Sequence, residues 1–238
     1  MTTGVIMPAL TKPVLAFDTA LNGCVVAVLC TDGRTVTRVL QTEREQAAKL
    51  IPLIQQAMEE AECDYTDLGL VVTTVGPGSF TGLRIGLSTA RSFGAALDIP
   101  VQGVNTLEAM AVTCGINEDV LVLLETKRAD YYAQNFSKDG QSQGQPSCTN
   151  VQEILARADR IICGDATERL KREAGEQLKA VCHHESMLNP VLLAILGVQK
   201  FQDAGGVTQR PEPVYLRGAD VSVSNKTQRK IKNFPFSD

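Results

Sequence analysis

The residues best placed to do chemistry lie between Val71 and Gly86, VVTTVGPGSFTGLRIG, where an apolar β-branched run ends in a glycine turn and a small-residue helix begins. Gly76, Gly78 and Gly82 spell G-x-G-x-x-x-G, close to the spacing of loops whose backbone N–H groups cradle phosphate. A Walker A loop needs Lys-Ser/Thr just after its last glycine, and Leu83-Arg84 stands there instead. A dinucleotide fingerprint needs a ribose-binding acid at the end of the next strand, yet Asp98 precedes that strand and Pro77 lies inside the turn. What remains is a tight strand-to-helix turn whose glycines let a sheet, another helix or a ligand approach closely. His183 and His184 are the only histidines, and neighbours in sequence diverge on a helix or strand, so no metal centre is expected. The seven cysteines are scattered without a C-x-x-C pair, which supports neither a disulfide framework nor a zinc knuckle. No nucleophile, base and orienting group stand arranged for peptidase chemistry.

Regular elements must position that turn. Leu70 to Val75 reads as a buried strand, and Ser79 as the cap of a helix reaching about Leu97, with Leu83, Leu87, Ala90 and Leu97 on one stripe. Gly82 and Gly86 lie one turn apart on that helix, although each helical glycine costs roughly 1 kcal/mol against alanine. Upstream, Val14 to Phe17, Cys24 to Cys30 and Thr35 to Leu40 form three short runs joined by Asn22-Gly23 and Asp32-Gly33, the pattern of an antiparallel meander. A helix from about Glu43 to Glu60 carries Leu50, Leu53, Ile54, Ala57 and Met58 at helical spacing, and Pro52 predicts a kink or break near Ile51 unless the helix starts late. A strand at Val101 to Val104 and a helix from about Thr106 to Cys114 complete a mixed sheet with helices on its faces.

The second half restarts with strands at Val120 to Glu125 and Tyr131 to Ser137, then a polar loop from Asp139-Gly140 to about Thr149. A helix around Val151 to Ala158, a strand at Arg160 to Cys163 and a helix from Thr167 to Gly175 follow. Asn189-Pro190 starts a last helix that Gly205-Gly206 stops. Beyond Arg217 the tail is polar, with Lys226, Arg229, Lys230 and Lys232. At 238 residues and 44% hydrophobic, the chain can bury one large core or two small ones. Its net charge of -4 argues against strong nucleic-acid binding by the whole surface and leaves room for a local basic patch. The start, MTTGVIMPALTKP, reads as no signal peptide, and the longest apolar segment, Val191 to Val198, is too short to span a membrane.

LAFDTA (Leu15 to Ala20), VGPGSFTGLRIG (Val75 to Gly86), GVNTLEAMA (Gly103 to Ala111) and PVYLR (Pro213 to Arg217) together resemble the TsaB family, also called YeaZ. The resemblance runs from about Val14 to Arg217 and rests most on the GPGSFTGLRIG string. It implies an α/β, actin-like fold of the sugar-kinase/Hsp70 type, with mixed sheets covered by helices. Residues 14–117 would form the N-terminal lobe and 118–217 a reduced C-terminal lobe, with 1–13 and 218–238 as tails. It further implies a cytoplasmic, non-catalytic subunit in threonylcarbamoylation of the adenosine next to the anticodon in tRNAs reading codons that begin with A. Such a subunit pairs with the catalytic paralogue TsaD, a separate ATPase, TsaE, supports turnover, and tRNA is met through the complex. A homodimer is the alternative pairing when the chain is alone.

The paralogue holds its metal on H-x-x-x-H, and the corresponding Thr106 to Met110 here has no histidine. Asp18, followed by Thr19, matches the acid that actin-like kinases and ATPases place near magnesium and phosphate, which makes both residues nucleotide-binding candidates; Asp18 can instead cap Ala20 or Asn22. Those enzymes also need a glycine-rich loop opening the second lobe. Here it opens LETKRAD, with Glu125 and Lys127 where the family has aspartate and arginine, and without glycine. A stand-alone phosphotransferase or ATPase is therefore the secondary reading, and no tightly bound cofactor is expected, with ATP or ADP at the partner interface left open. The resemblance places the partner contact on helices of the first lobe, at or beside Leu50, Leu53, Ile54, Gly82 and Gly86.

Overall fold

The computed structural model describes residues 10–42, 44–156 and 161–216. The meander forms as β1 (Val14–Asp18), β2 (Gly23–Leu29) and β3 (Thr35–Gln41), antiparallel in sequence. Then come α1 (Gln46–Glu60), β4 (Leu70–Gly76), α2 (Phe80–Leu97), β5 (Val101–Asn105) and α3 (Thr106–Cys114). β4 pairs parallel with β1 and β5 parallel with β4, giving the order β3-β2-β1-β4-β5.

The second half repeats this with β6 (Val120–Glu125), β7 (Tyr131–Phe136), β8 (Ser142–Thr149), α4 (Val151–Leu155), β9 (Ile161–Gly164), α5 (Thr167–Ala174) and β10 (Cys182–His184). Its sheet has the order β8-β7-β6-β9-β10 with the same senses of pairing. Two sheets of one topology, each with an antiparallel meander and parallel crossovers, make this an α/β protein of actin-like fold with two related lobes.

The helices sort into layers. α1 and α2 cover the outer face of the first sheet, with Leu50, Ile54, Ala57 and Ala90 against Leu15, Phe17, Val26 and Val71. α4 and α5 cover the second sheet through Ile154 and Leu170. The inner faces share one core built from Ala16, Val72, Val122 and Phe136, with Leu107 and Met110 of α3 between them. A final helix, α6 (Pro190–Asp203), joins that inner layer through Leu193, Ile195 and Val198 and lies on β1, β2, β4 and β5 of the first sheet. Contact is close enough that a Cβ at Gly197 would stand 2.3 Å from Val72 Cγ1.

Four expectations need correction. α1 runs unbroken through Pro52, because the residue lies on the solvent face and the carbonyl it leaves without a donor belongs to exposed Ala48. The expected loop after Asp139-Gly140 contains strand β8, whose SQGQPSCT has no apolar alternation because it is an exposed edge; Pro146 is tolerated there for the same reason. β10 is a second, three-residue edge strand that sequence periodicity missed. The described part of the helix expected to reach Ala158 ends at Leu155, and Ala158 itself lies outside the described residues. Arg217 and the basic tail also lie outside them.

Candidate functional site: the cleft between the lobes

A cleft of about 530 Å³ opens where the turns of the two lobes meet. The first lobe contributes Ala20 to Asn22 after β1, Gly78 to Thr81 at the start of α2, and Arg84. From the second come Glu125 to Arg128 after β6, Tyr132 and Asp165, and Val214 to Leu216 close one side. The volume suits a small molecule or one unit of a polymer.

Gly76 and Gly164 show how the duplicated fold makes this cleft. Each ends the first parallel strand of its lobe with positive φ, +110° and +121°, a conformation that glycine adopts without Cβ strain. In the first lobe the chain turns through Pro77 and Gly78 to Ser79, whose Oγ accepts from Gly82 N at 3.3 Å, the cap expected from sequence.

Asp18 and Thr19 do not line the cleft. Asp18 is buried, its Oδ1 accepts from Ala20 N at 3.0 Å and from the Thr74 hydroxyl, and its Oδ2 accepts from Leu21 N at 3.4 Å. Burial raises its pKa above the ordinary value while these donors pull it back. The carboxylate is thus a turn cap on Ala20 and Leu21, not on Asn22. Thr19 is buried as well, and its Oγ1 donates to Gly82 O at 2.7 Å.

The neighbour that the helix glycines were expected to admit proves to be internal. A Cβ at Gly82 would lie 1.9 Å from Thr19 O, and one at Gly86 would lie 2.8 Å from Thr19 Oγ1. Both glycines therefore seat α2 on the β1–β2 turn and do not face outward as an interface. Leu50 and Ile54 likewise point into the sheet-facing core, while Leu53 is half-buried.

Across the cleft, Asp165 joins the lobes. Its Oδ1 accepts from Glu125 N at 2.9 Å and its Oδ2 from Asn22 Nδ2 at 3.3 Å, while Asn22 Nδ2 also reaches Ser186 O at 3.2 Å. Burial, with the charge of Glu125 added, pushes its pKa up to about 7. The β6–β7 turn is held from behind by Arg169. Its Nε lies 3.1 Å from Glu125 Oε1, its guanidinium donates to Arg128 O and Asp130 O, and it stacks 3.8 Å from the Tyr131 ring centroid. Tyr131 in turn donates to Glu173 Oε2 at 2.6 Å. Lys127, at φ +58°, is carried outward on that pinned turn.

On the opposite wall the segment after α6 returns to the first lobe, where Val214 N donates to Val75 O at 2.7 Å. Tyr215 then meets Phe80 with ring centroids 5.4 Å apart, and the Arg84 guanidinium covers Phe80 at 3.9 Å. Sequence reading singled out Asn22 only as a turn residue and Phe80 and Tyr215 only as parts of motifs. It missed the roles of Asp165 and Arg169. Aligning the two halves as repeats was the available signal, since Asp165 follows the second-lobe strand end as Pro77 follows the first. His183 and His184 alternate on β10, both are exposed, and His184 Nδ1 lies 3.1 Å from Thr167 Oγ1. Among the described residues no cluster of three or more His, Cys, Asp or Glu has metal-holding geometry, and no helix is long and apolar enough to cross a membrane.

A family model described as TsaD, tRNA N6-adenosine threonylcarbamoyltransferase, matches residues 40–226. The tRNA threonylcarbamoyladenosine biosynthesis protein TsaB of Escherichia coli is 30% identical over 129 residues, 53% of this chain and 55% of that protein. Its namesake in Bacillus subtilis is 25% identical over 191 residues, 79% of this chain and 78% of that one. The chain belongs to the TsaB (YeaZ) branch of this family. An uncharacterized Mycobacterium leprae protein is 37% identical over 132 residues, 53% of this chain and 36% of its own length. The chain thus spans about half, or less, of the relatives it matches at 30% identity or above. The crystal structure of YeaZ from Pseudomonas aeruginosa superposes with a TM-score of 0.71 at 22% identity, covering 87% of this chain and 100% of that one, a likeness of fold.

Proposed function

We propose that this chain is a non-catalytic subunit in the biosynthesis of threonylcarbamoyladenosine, next to the anticodon of tRNAs that read codons beginning with A, and that it acts by pairing with a TsaD-type paralogue. The observation that carries this reading is that the actin-like cleft is kept while the residues for phosphate chemistry are turned away from it. Asp18 commits both carboxylate oxygens to the chain and Thr74, and the β6–β7 turn has no glycine to approach a phosphate. The names of the TsaB relatives supply the process. The paralogue would hold the catalytic metal, a TsaE-type ATPase would support turnover, ATP or ADP would sit at the shared interface, and the chain alone would pair with itself, all in the cytoplasm.

The first-lobe contact is carried by the outward side of α1. Ile51 is 49% exposed there and half-buried Leu53 flanks it, while Leu50 and Ile54 support the helix from within. Reconstitution with TsaD, TsaE, tRNA and threonylcarbamoyl-adenylate tests the proposal. Leaving this chain out abolishes modification, and Ile51→Glu weakens copurification with TsaD at an unchanged thermal midpoint. Modification that proceeds undiminished without the chain overturns the reading. ATP turnover by the purified chain, lost on replacing Asp18, would put a stand-alone phosphotransferase in its place.

A further inference from the structure

The cleft carries more positive charge than the rest of the chain leads one to expect. Overall the protein is acidic, at -4, yet Arg84, Lys127 and Arg128 all stand on the cleft walls. Among the described residues two carboxylates share those walls, and both are engaged: Glu125 by Arg169 at 3.1 Å, and Asp165 by the Asn22 amide and Glu125 N. Among the described residues neither Arg84 nor Lys127 enters an ion pair. An uncompensated pair of cations facing a concave site favours an anion.

The walls also carry a prepared aromatic surface. Tyr215 leans on Phe80 with ring centroids 5.4 Å apart and planes tilted by 39°, and the Arg84 guanidinium lies 3.9 Å from the Phe80 centroid. Phe80 is 42% exposed and Tyr215 43% exposed. Tyr132 adds a third ring on the facing lobe. The contact with Phe80 holds Arg84 at the cleft wall, and a guanidinium can take a phosphate through paired N–H donors. Planar rings beside fixed cations are the surface that single-stranded nucleic acid uses, base on ring and phosphodiester on guanidinium or ammonium.

The geometry points to this cleft as a seat for one unpaired nucleotide of an RNA strand, its base against the Tyr215–Phe80 ring pair and its phosphates on Arg84 and Lys127. The inference rests on the tRNA-modification reading above. A free nucleoside triphosphate suits the site less, because Asp18, the acid in the position to hold its magnesium, is buried away from the cleft. An acidic peptide would satisfy the cations but leave the exposed rings without a partner.

The test uses the full chain, alone and with TsaD, and fluorescence anisotropy of an anticodon stem-loop RNA in low salt. Arg84→Glu, Lys127→Glu and Tyr215→Ala each weaken binding about tenfold or more at an unchanged thermal midpoint. Each charge variant lowers the slope of log affinity against log salt by about 0.7, the value for one phosphate contact on a single strand. The same strand annealed to its complement binds the wild type no better than it binds the variants. RNA affinity unchanged in all three variants overturns the inference, as does saturable displacement of the RNA by ADP or by poly-glutamate. The underlying reading fails separately, if modification survives omission of the chain; if modification needs the chain but is indifferent to the three variants, the reading stands and the cleft inference falls.

Discussion

At the scale of the residue, Gly82 decides how α2 meets the first lobe. Replacing a helical glycine with alanine ordinarily gains about 1 kcal/mol. Here the new Cβ would stand 1.9 Å from the Thr19 carbonyl oxygen, a backbone atom that cannot rotate away. Overpacking costs of about 1–3 kcal/mol, with the Thr19 Oγ1 to Gly82 O bond disturbed as well, outweigh the propensity gain. Gly82→Ala therefore lowers stability by about 1–2 kcal/mol, read as a reduced urea midpoint at unchanged m-value. A raised midpoint would show that α2 slides freely over the turn. Sequence could see that something approaches this glycine closely, but not that the approaching group belongs to the same chain: proximity across more than sixty positions is invisible to local periodicity.

At the scale of the element, the β6–β7 turn is a rigid presenter of Lys127 because of a side chain on α5. Arg169 satisfies the carbonyls of Arg128 and Asp130, neutralises Glu125 and lies over Tyr131. Removing it leaves these groups with an unpaired carboxylate in their midst, at a cost of about 2–4 kcal/mol. Arg169→Leu accordingly lowers the thermal midpoint and accelerates amide exchange in residues 125–130, while β1 to β5 keep their protection. Arg169→Lys does not restore the turn, since a single ammonium cannot fork to several oxygens. Exchange that stays slow in both variants would contradict this role. Strong periodic elements such as α2, α3, β6 and α6 were legible in the sequence because burial on one face imposes a pattern. β8 and β10 were not, because edge strands in water need none. Arg169 was illegible for a related reason, since a cation on an amphipathic helix looks the same whether it faces solvent or braces a turn 39 positions away.

For the whole molecule, stability depends on pH through the contact between lobes. Asp165 holds its proton up to about 7, against an ordinary value of 3.8, because folding buries it beside Glu125. The folded state then binds more protons than the unfolded chain across this window. Its stability falls as pH rises from about 4 to about 7, by on the order of a few kcal/mol. Asp18, also raised by burial, acts with the same sign. Asp165→Asn removes the Asp165 share, so the variant's thermal midpoint gains on the wild type between pH 5 and pH 8. A constant difference across that range would mean that Asp165 is ionised in the folded protein. The two-lobed architecture was readable from the repeated order of strands and helices, but the meeting of Asn22 with Asp165 was not, for it depends on how the two repeats dock.

The placement of α6 has a consequence for how the chain is made. The first sheet is complete in sequence at Asn105, yet the helix that covers its inner face begins only at Pro190, and the segment that ties β4 through Val75 comes later still. On a ribosome the first sheet emerges with the side that carries Ala16 and Val72 still lacking α6, which follows only after the strands of the second sheet have been made. Synthesis order and folding order therefore run apart. The half that leaves the exit tunnel first is the last to be finished, and a nascent chain stalled in the second lobe would display the sticky inner face of the first to chaperones.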